Sequence, residues 1–170
     1  MENLLVKNVL IFIILIIVGA LFSLLALRLI LFIINKGASI GDSLKSTSIS
    51  ILSSVSIVSL GLIFSKLYDP LIEITRILSD GENYFIESLK YISLFLGLSF
   101  ISWFLVIGSS VSLFGLMTKG VNEIEEIKND NWKLALLLSA LILMLTIMAS
   151  GPILGSLEAL IPYPDMPNIV

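Results

Sequence analysis

The chain has 170 residues, of which 57% are hydrophobic and only 14% charged, with a mean hydropathy of +1.07; soluble domains carry about 45–50% apolar and about 25% charged residues. Cysteine and histidine are both absent, which excludes disulfides, thiolate nucleophiles, Cys/His zinc sites, histidine-ligated haem and a Ser-His-Asp triad. The net charge of −3 comes with no basic run, which argues against nucleic acid as a partner.

The apolar residues fall in four blocks, roughly 8–34, 48–67, 89–117 and 132–154. Each is long enough to cross a hydrocarbon layer of about 30 Å, which takes about 20 residues as a helix. The pattern predicts an all-α, polytopic membrane protein with four transmembrane helices, arranged as two tandem parallel helical hairpins. Residues 1–67 form a first two-span unit, 68–88 an outer connection, 89–154 a second two-span unit and 155–170 a proline-containing tail. The first block is longer than a signal-peptide core of about 7–15 residues, and no small-x-small cleavage site follows it, so it reads as a retained span.

Span one ends near "KGASIGDSLK", residues 36–45, and span three near "KGVNEIEEIK", residues 119–128. An ungapped shift of 83 residues superposes Lys36-Gly37 on Lys119-Gly120, Asp42 on Glu125 and Lys45 on Lys128, and it superposes the long and short blocks as well. An internal duplication accounts for this; so do two loops drawing on the same common loop residues. The local physics is the same either way. Gly stops a helix, Lys complements its C-terminal dipole, and carboxylates favour the start of the next helix. Thr47 or Ser48 is the expected N-cap of span two, and Asp130 or Asn131 that of span four.

Arg28, in span one, is the one charge enclosed by apolar sequence. It lies six residues before the end of a span about 40 Å long at 1.5 Å per residue, so snorkelling or headgroup pairing is expected rather than a gating role. Small residues recur at helical spacing in every span: Gly19, Ser23 and Ala26; Ser50, Ser54, Gly61 and Ser65; Gly108, Ser112 and Gly115; Ser139, Thr146 and Ser150. Helices in lipid associate through such residues. The sharper alternative is a conduit in an oligomer, lined by the span-two stripe and widened by Ser53, Ser56 and Ser59.

Between the units, "DPLIEITRIL" places Leu71, Ile74 and Leu78 on one face, with Ile72 and Ile77 beside them. That fits a short amphipathic helix, started by Asp69 and Pro70, which either lies in the interface or serves as a plain linker. "SDGEN" reads as a turn. The tail, "LEALIPYPDMPNIV", carries three prolines that favour an extended segment.

Six Lys/Arg residues lie on the side of the short turns 35–47 and 118–131, against four on the other side. The positive-inside rule then places those turns in the cytoplasm and both termini outside. No Lys lies in the interior of a span to make a Ser-Lys dyad, and no Asp pair lies in the spans, so the sequence argues against an enzyme. Nothing calls for a cofactor. Glu123, Glu125, Glu126 and Asp130 offer oxygen ligands for a divalent cation, but interspersed lysines at helical spacing fit a solvated face better, and no metal site is expected.

The stretch "EIEEIKNDNWKLALLLSALILMLTIMASGPI", residues 123–153, resembles the second repeat of the Domain of Unknown Function 350 family of small bacterial inner-membrane proteins. Glu123, Glu125 and Glu126 match its acidic turn, and Asp130-Asn131 stands at its Gly-Asn step. The resemblance implies two tandem two-span units in a bacterial inner membrane and brings no activity. The expectation from the whole sequence is a non-enzymatic oligomeric or scaffolding subunit. Its expected partners are membrane lipids, further copies of the chain, or a different membrane protein.

Overall fold

The computed structural model of the chain is built from helices, four of which are long and apolar enough to cross a membrane. It describes residues 2–34, 45–78, 84–118 and 123–163. Helix α1 is Glu2–Ile34 and α2 is Thr47–Phe64. A 3-10 turn, Ser65–Leu67, carries α2 into α3, Tyr68–Ile77. Then come α4, Tyr84–Met117, the short α5, Glu123–Lys128, and α6, Trp132–Glu158. No strand occurs among the described residues. The fold is all-α, as the apolar blocks require.

Helix α2 is the hub. It packs along α6, α1 and α4, and α6 also lies along α4, so α2, α4 and α6 make a three-helix cluster with α1 laid against α2. Small side chains are buried on both α2 and α6. Ser53, Ser56 and Ser59 are buried on α2, and Ala135, Ser139 and Thr146 on α6. In oil, close backbone approach of this kind replaces the hydrophobic drive that assembles soluble helices. Along these two helices some positions 83 apart share burial, Leu52 with Ala135, Ser56 with Ser139, Ser59 with Ile142 and Ile63 with Thr146, whereas Ile49, Ser53 and Phe64 are buried and Trp132, Leu136 and Ile147 exposed. The long helices do not follow the same offset, because Ala26 and Ile30 are buried while Ser109 and Leu113 are exposed.

The connection after α2 differs from the expected fresh helix start. Pro70 lacks an N–H, and its ring crowds the carbonyl four residues earlier. The chain answers by tightening into the 3-10 turn rather than breaking. Asp69 therefore falls inside the first turn of α3, and no side chain caps the preceding Leu67. The apolar face of α3 turns to protein: Leu71 and Ile74 are buried, and the helix contacts α1, α4 and α6. It is a linker packed against the bundle. Its Arg76–Glu73 pair at 3.6 Å is exposed, and such pairs contribute at most about 0.5 kcal/mol. At the other terminus α6 runs on to Glu158, and Ile161 tucks in beyond it. The tail thus begins later than residue 155. Lys36-Gly37, Asp42, Lys119-Gly120, the "SDGEN" turn and the last two tail prolines lie outside the described residues.

The two turn regions meet. Helix α5 ends with Asp130 in the left-handed region, φ 62°. The Asp130 N–H donates to the Ile127 carbonyl (3.2 Å) and the Asn131 N–H to the Glu126 carbonyl (3.0 Å), the paired bonds of a Schellman stop. Glycine is the usual residue there; Asp tolerates the conformation. Its carboxylate is then aimed at α2: Oδ1 accepts from the Ser46 hydroxyl at 2.7 Å and from the Ser48 backbone N–H at 2.8 Å. The expected caps are therefore redistributed. Ser46, not Thr47 or Ser48, is the N-cap of α2, its hydroxyl accepting from Ile49 N–H at 3.4 Å. Asp130 completes the cap of α2 rather than that of α6. Asn131 holds the α6 N-cap position without a side-chain cap bond, its amide donating instead to Glu126 at 2.8 Å. Because α2 and α6 start at this common end and pack together, they run parallel.

The Ser48 N–H and then the Ser46 hydroxyl hold the Asp130 carboxyl below its ordinary value, since both bonds favour the charged form. A folded-state pKa below the unfolded one gives stability that is complete above the ordinary carboxylate range and fades as pH falls through the lowered value. Asp130→Asn keeps an acceptor oxygen and tolerates positive φ, so it should remove that part of the acid dependence while leaving neutral-pH folding largely intact. Asp130→Leu should lower the unfolding midpoint at neutral pH as well. Thermal unfolding of the purified protein in detergent between pH 3 and 7 measures both.

Candidate functional site

The residues singled out by the sequence divide between the interior and the outer surface. On α2, Ser54, Gly61 and Ser65 are exposed and Ser50 is half-buried, whereas Ser53, Ser56 and Ser59 are buried. The second set does not widen the first. Successive helical residues diverge by about 100°, so adjacent serines take different faces.

Two of the buried set, Ser56 and Ser59, belong to a fastening. The indole N–H of Trp103, on α4, donates to the Ser59 hydroxyl at 2.9 Å and to the Ser56 carbonyl at 3.1 Å. Ser59 donates to the Ser56 carbonyl (2.9 Å), and Ser56 to the Leu52 carbonyl (2.7 Å). Trp103 is almost completely enclosed, at 1% exposure. Its ring stacks on Phe100 at 5.4 Å, Phe100 meets Phe22 of α1 at 4.9 Å, and Phe22 meets Phe64 of α2 at 5.3 Å. Three helices are thereby joined by one aromatic chain ending in a hydrogen bond. Trp103 was not among the expected residues. The available signal was an indole donor in mid-span, where hydrocarbon offers no acceptor and a facing helix must supply one.

On α4, Gly108 and Ser112 are exposed and Gly115 is half-buried. The Ser112 hydroxyl is satisfied by the Gly108 carbonyl at 2.9 Å. A Cβ added at Gly108, Gly61 or Gly19 would meet open space. On α1 the expected face is split: Ala26 is fully buried, but Gly19 and Ser23 front a groove of about 970 Å³ between α1 and α2. Gly61, Phe64, Ser65 and Tyr68 line its far wall. On α6, Ser139 and Thr146 are buried and Ser150 is half-buried. Among the described residues the buried Ser53, Ser99 and Ser139 hydroxyls have no hydrogen-bond partner; as small residues they let helices approach.

Arg28 is exposed on α1, and no ion pair to it occurs among the described residues. It lies within the apolar stretch Ile11–Phe32, close enough to the helix end at Ile34 for its long stem to carry the guanidinium to the interface. Among the described residues no three carboxylates gather into a metal-binding group; Asp130 is committed to α2 and Glu126 to Asn131. The chain matches no protein-family model, no curated protein and no solved structure.

Ser59→Ala leaves the indole N–H with the Ser56 carbonyl and should cost about 0.6–1 kcal/mol. Trp103→Phe removes the donor together with part of the ring volume and should cost about 2 kcal/mol. Unfolding in mixed micelles by SDS titration reads both. The double variant should cost less than the sum; strict additivity would mean that the bond does not tie α4 to α2.

Proposed function

We propose that this chain is a non-enzymatic subunit of a membrane assembly, associating side by side with further copies of itself. The observation that carries the reading is the outward position of its small-residue faces. Gly108 and Ser112 on α4, and Ser54 on α2, are exposed among the described residues, and a Cβ added at Gly108 would meet nothing within 4 Å. In a bilayer, helix association depends on such residues, because lipid tails are as apolar as leucine. A four-helix chain that assembles its own core through one set of small residues and leaves a second set outside is suited to a neighbour that uses the second set.

The conduit reading draws less support. Three of its seven expected lining residues, Ser53, Ser56 and Ser59, are buried inside the protomer, and Ser59 bonds Trp103. Placement in a bacterial inner membrane, with the short turns in the cytoplasm, belongs to the same proposal and rests on the family resemblance and the charge asymmetry.

The absence of cysteine makes the test clean. Gly108→Cys and Ser112→Cys, expressed in native membranes and oxidised, should each give a disulfide-linked dimer on a non-reducing gel. Leu136→Cys, on the exposed side of α6, should not. Equal crosslinking at all three positions, or none at any, defeats the assembly reading. Planar bilayers containing the protein should pass no current.

A further inference from the structure

We infer that Arg28 holds the phosphate of a phospholipid from the leaflet beside α5, which makes the charge enclosed by the first span a lipid-binding residue. The inference stands apart from the assembly reading, which uses faces of α2 and α4.

A charge on a membrane-facing surface needs an anion within reach. Arg28 is exposed inside the apolar stretch Ile11–Phe32, and no ion pair to it occurs among the described residues. Its depth follows from its neighbours. Ile30 and Ile34, on the same helix, line a small space together with Ile124 and Ile127 of α5. On α5 itself, Glu125 and Lys128 are exposed. Exposed charges belong among headgroups or in water, so α5 marks the bilayer boundary and the end of α1 lies beside it. Arg28 comes six residues before Ile34, about 9 Å to the oil side at 1.5 Å per residue. Helical side chains lean toward the N-terminus, which for Arg28 is the direction away from α5. Its stem therefore has to turn back toward the boundary, and a phosphate drawn inward shortens the remaining gap.

The surroundings of Arg28 decide which kind of molecule supplies the anion. Leu21, Leu24, Leu25 and Phe32 flank it at helical spacing, and all four are exposed. Helices in lipid approach one another through small residues, and this face has none. The small residues of α1, Gly19 and Ser23, front the groove toward α2 instead. Bulky leucine and phenylalanine around one cation suit acyl chains, and the anion attached to acyl chains is a phosphate. The planar guanidinium matches two phosphate oxygens with two parallel N–H bonds.

Arg28 and Arg76 are the two arginines of the chain, so the full-length Arg76→Lys protein, labelled with 13C at arginine Cζ, reports on Arg28 alone. In bilayers of dioleoyl phosphatidylcholine and dioleoyl phosphatidylglycerol, solid-state NMR should show the Cζ signal dephased by 31P, as direct contact requires. In bilayers of digalactosyl diacylglycerol, which has no phosphorus, with inorganic phosphate in the buffer, that dephasing should vanish. Its persistence there would give the site to free phosphate and overturn the lipid assignment. Its absence in the phospholipid bilayers would overturn the site itself, including the case in which a carboxylate of another chain is the partner. In native mass spectrometry from mild detergent, Arg28→Gln should retain about fivefold less phosphatidylglycerol than the wild type. Equal retention would mean that the guanidinium meets phosphates only in passing, and it too would overturn the inference.

Discussion

Hydrocarbon gives a helix no reason to leave it. In water, burying leucine assembles a bundle; in lipid, leucine is equally content against a tail or a neighbour. Everything specific about this fold depends on what remains, namely close approach through small side chains and polar groups that find partners. The α2–α6 seam uses the first means, with Ser56 and Ser139 fully enclosed. The Trp103 bond to Ser59 and Ser56 uses the second. The large apolar residues are correspondingly free to face outward, as Phe12, Phe32, Leu105 and Leu116 do. In a soluble protein such a surface would aggregate; here it is the solvated side.

The same constraint explains which parts of the fold were legible in the sequence. Length and apolarity require four spans, because any backbone inside the bilayer must satisfy its own hydrogen bonds. Span ends were less legible, because helices run past the apolar limit wherever protein covers them. Helix α3 shows this: its amphipathic pattern is plain in Leu71 and Ile74, but the pattern alone does not say whether oil or protein meets that face. Pro70 reads locally as a helix start, yet in a chain already helical it produces a 3-10 joint.

The candidate site was legible in composition and not in direction. Six serines and one glycine along α2 offer two faces, and small-residue spacing cannot say which one the protomer uses itself. The indole of Trp103 decides it, by claiming the face of Ser56 and Ser59. The cap of α2 was beyond local reading for a similar reason. Ser46 and Ser48 lie where a cap belongs, but their acceptor sits 84 and 82 residues away, outside any sequence window. The burial shared by Leu52 and Ala135, or Ser56 and Ser139, follows the offset seen in the turns, while the long helices depart from it, Ala26 and Ile30 being buried and Ser109 and Leu113 exposed.

That remote cap has a consequence for how the protein is made. Helix α2 leaves the ribosome long before Asp130 exists, so the amide that Asp130 will hold has only water or headgroups to bind in the meantime. The first pair of crossings reaches the membrane with one helix start unfinished, and it is completed only when the chain turns into its last crossing. The covalent order of synthesis therefore makes the second half of the polypeptide a folding partner of the first. The two halves, whatever their ancestry, are not interchangeable modules that mature one at a time.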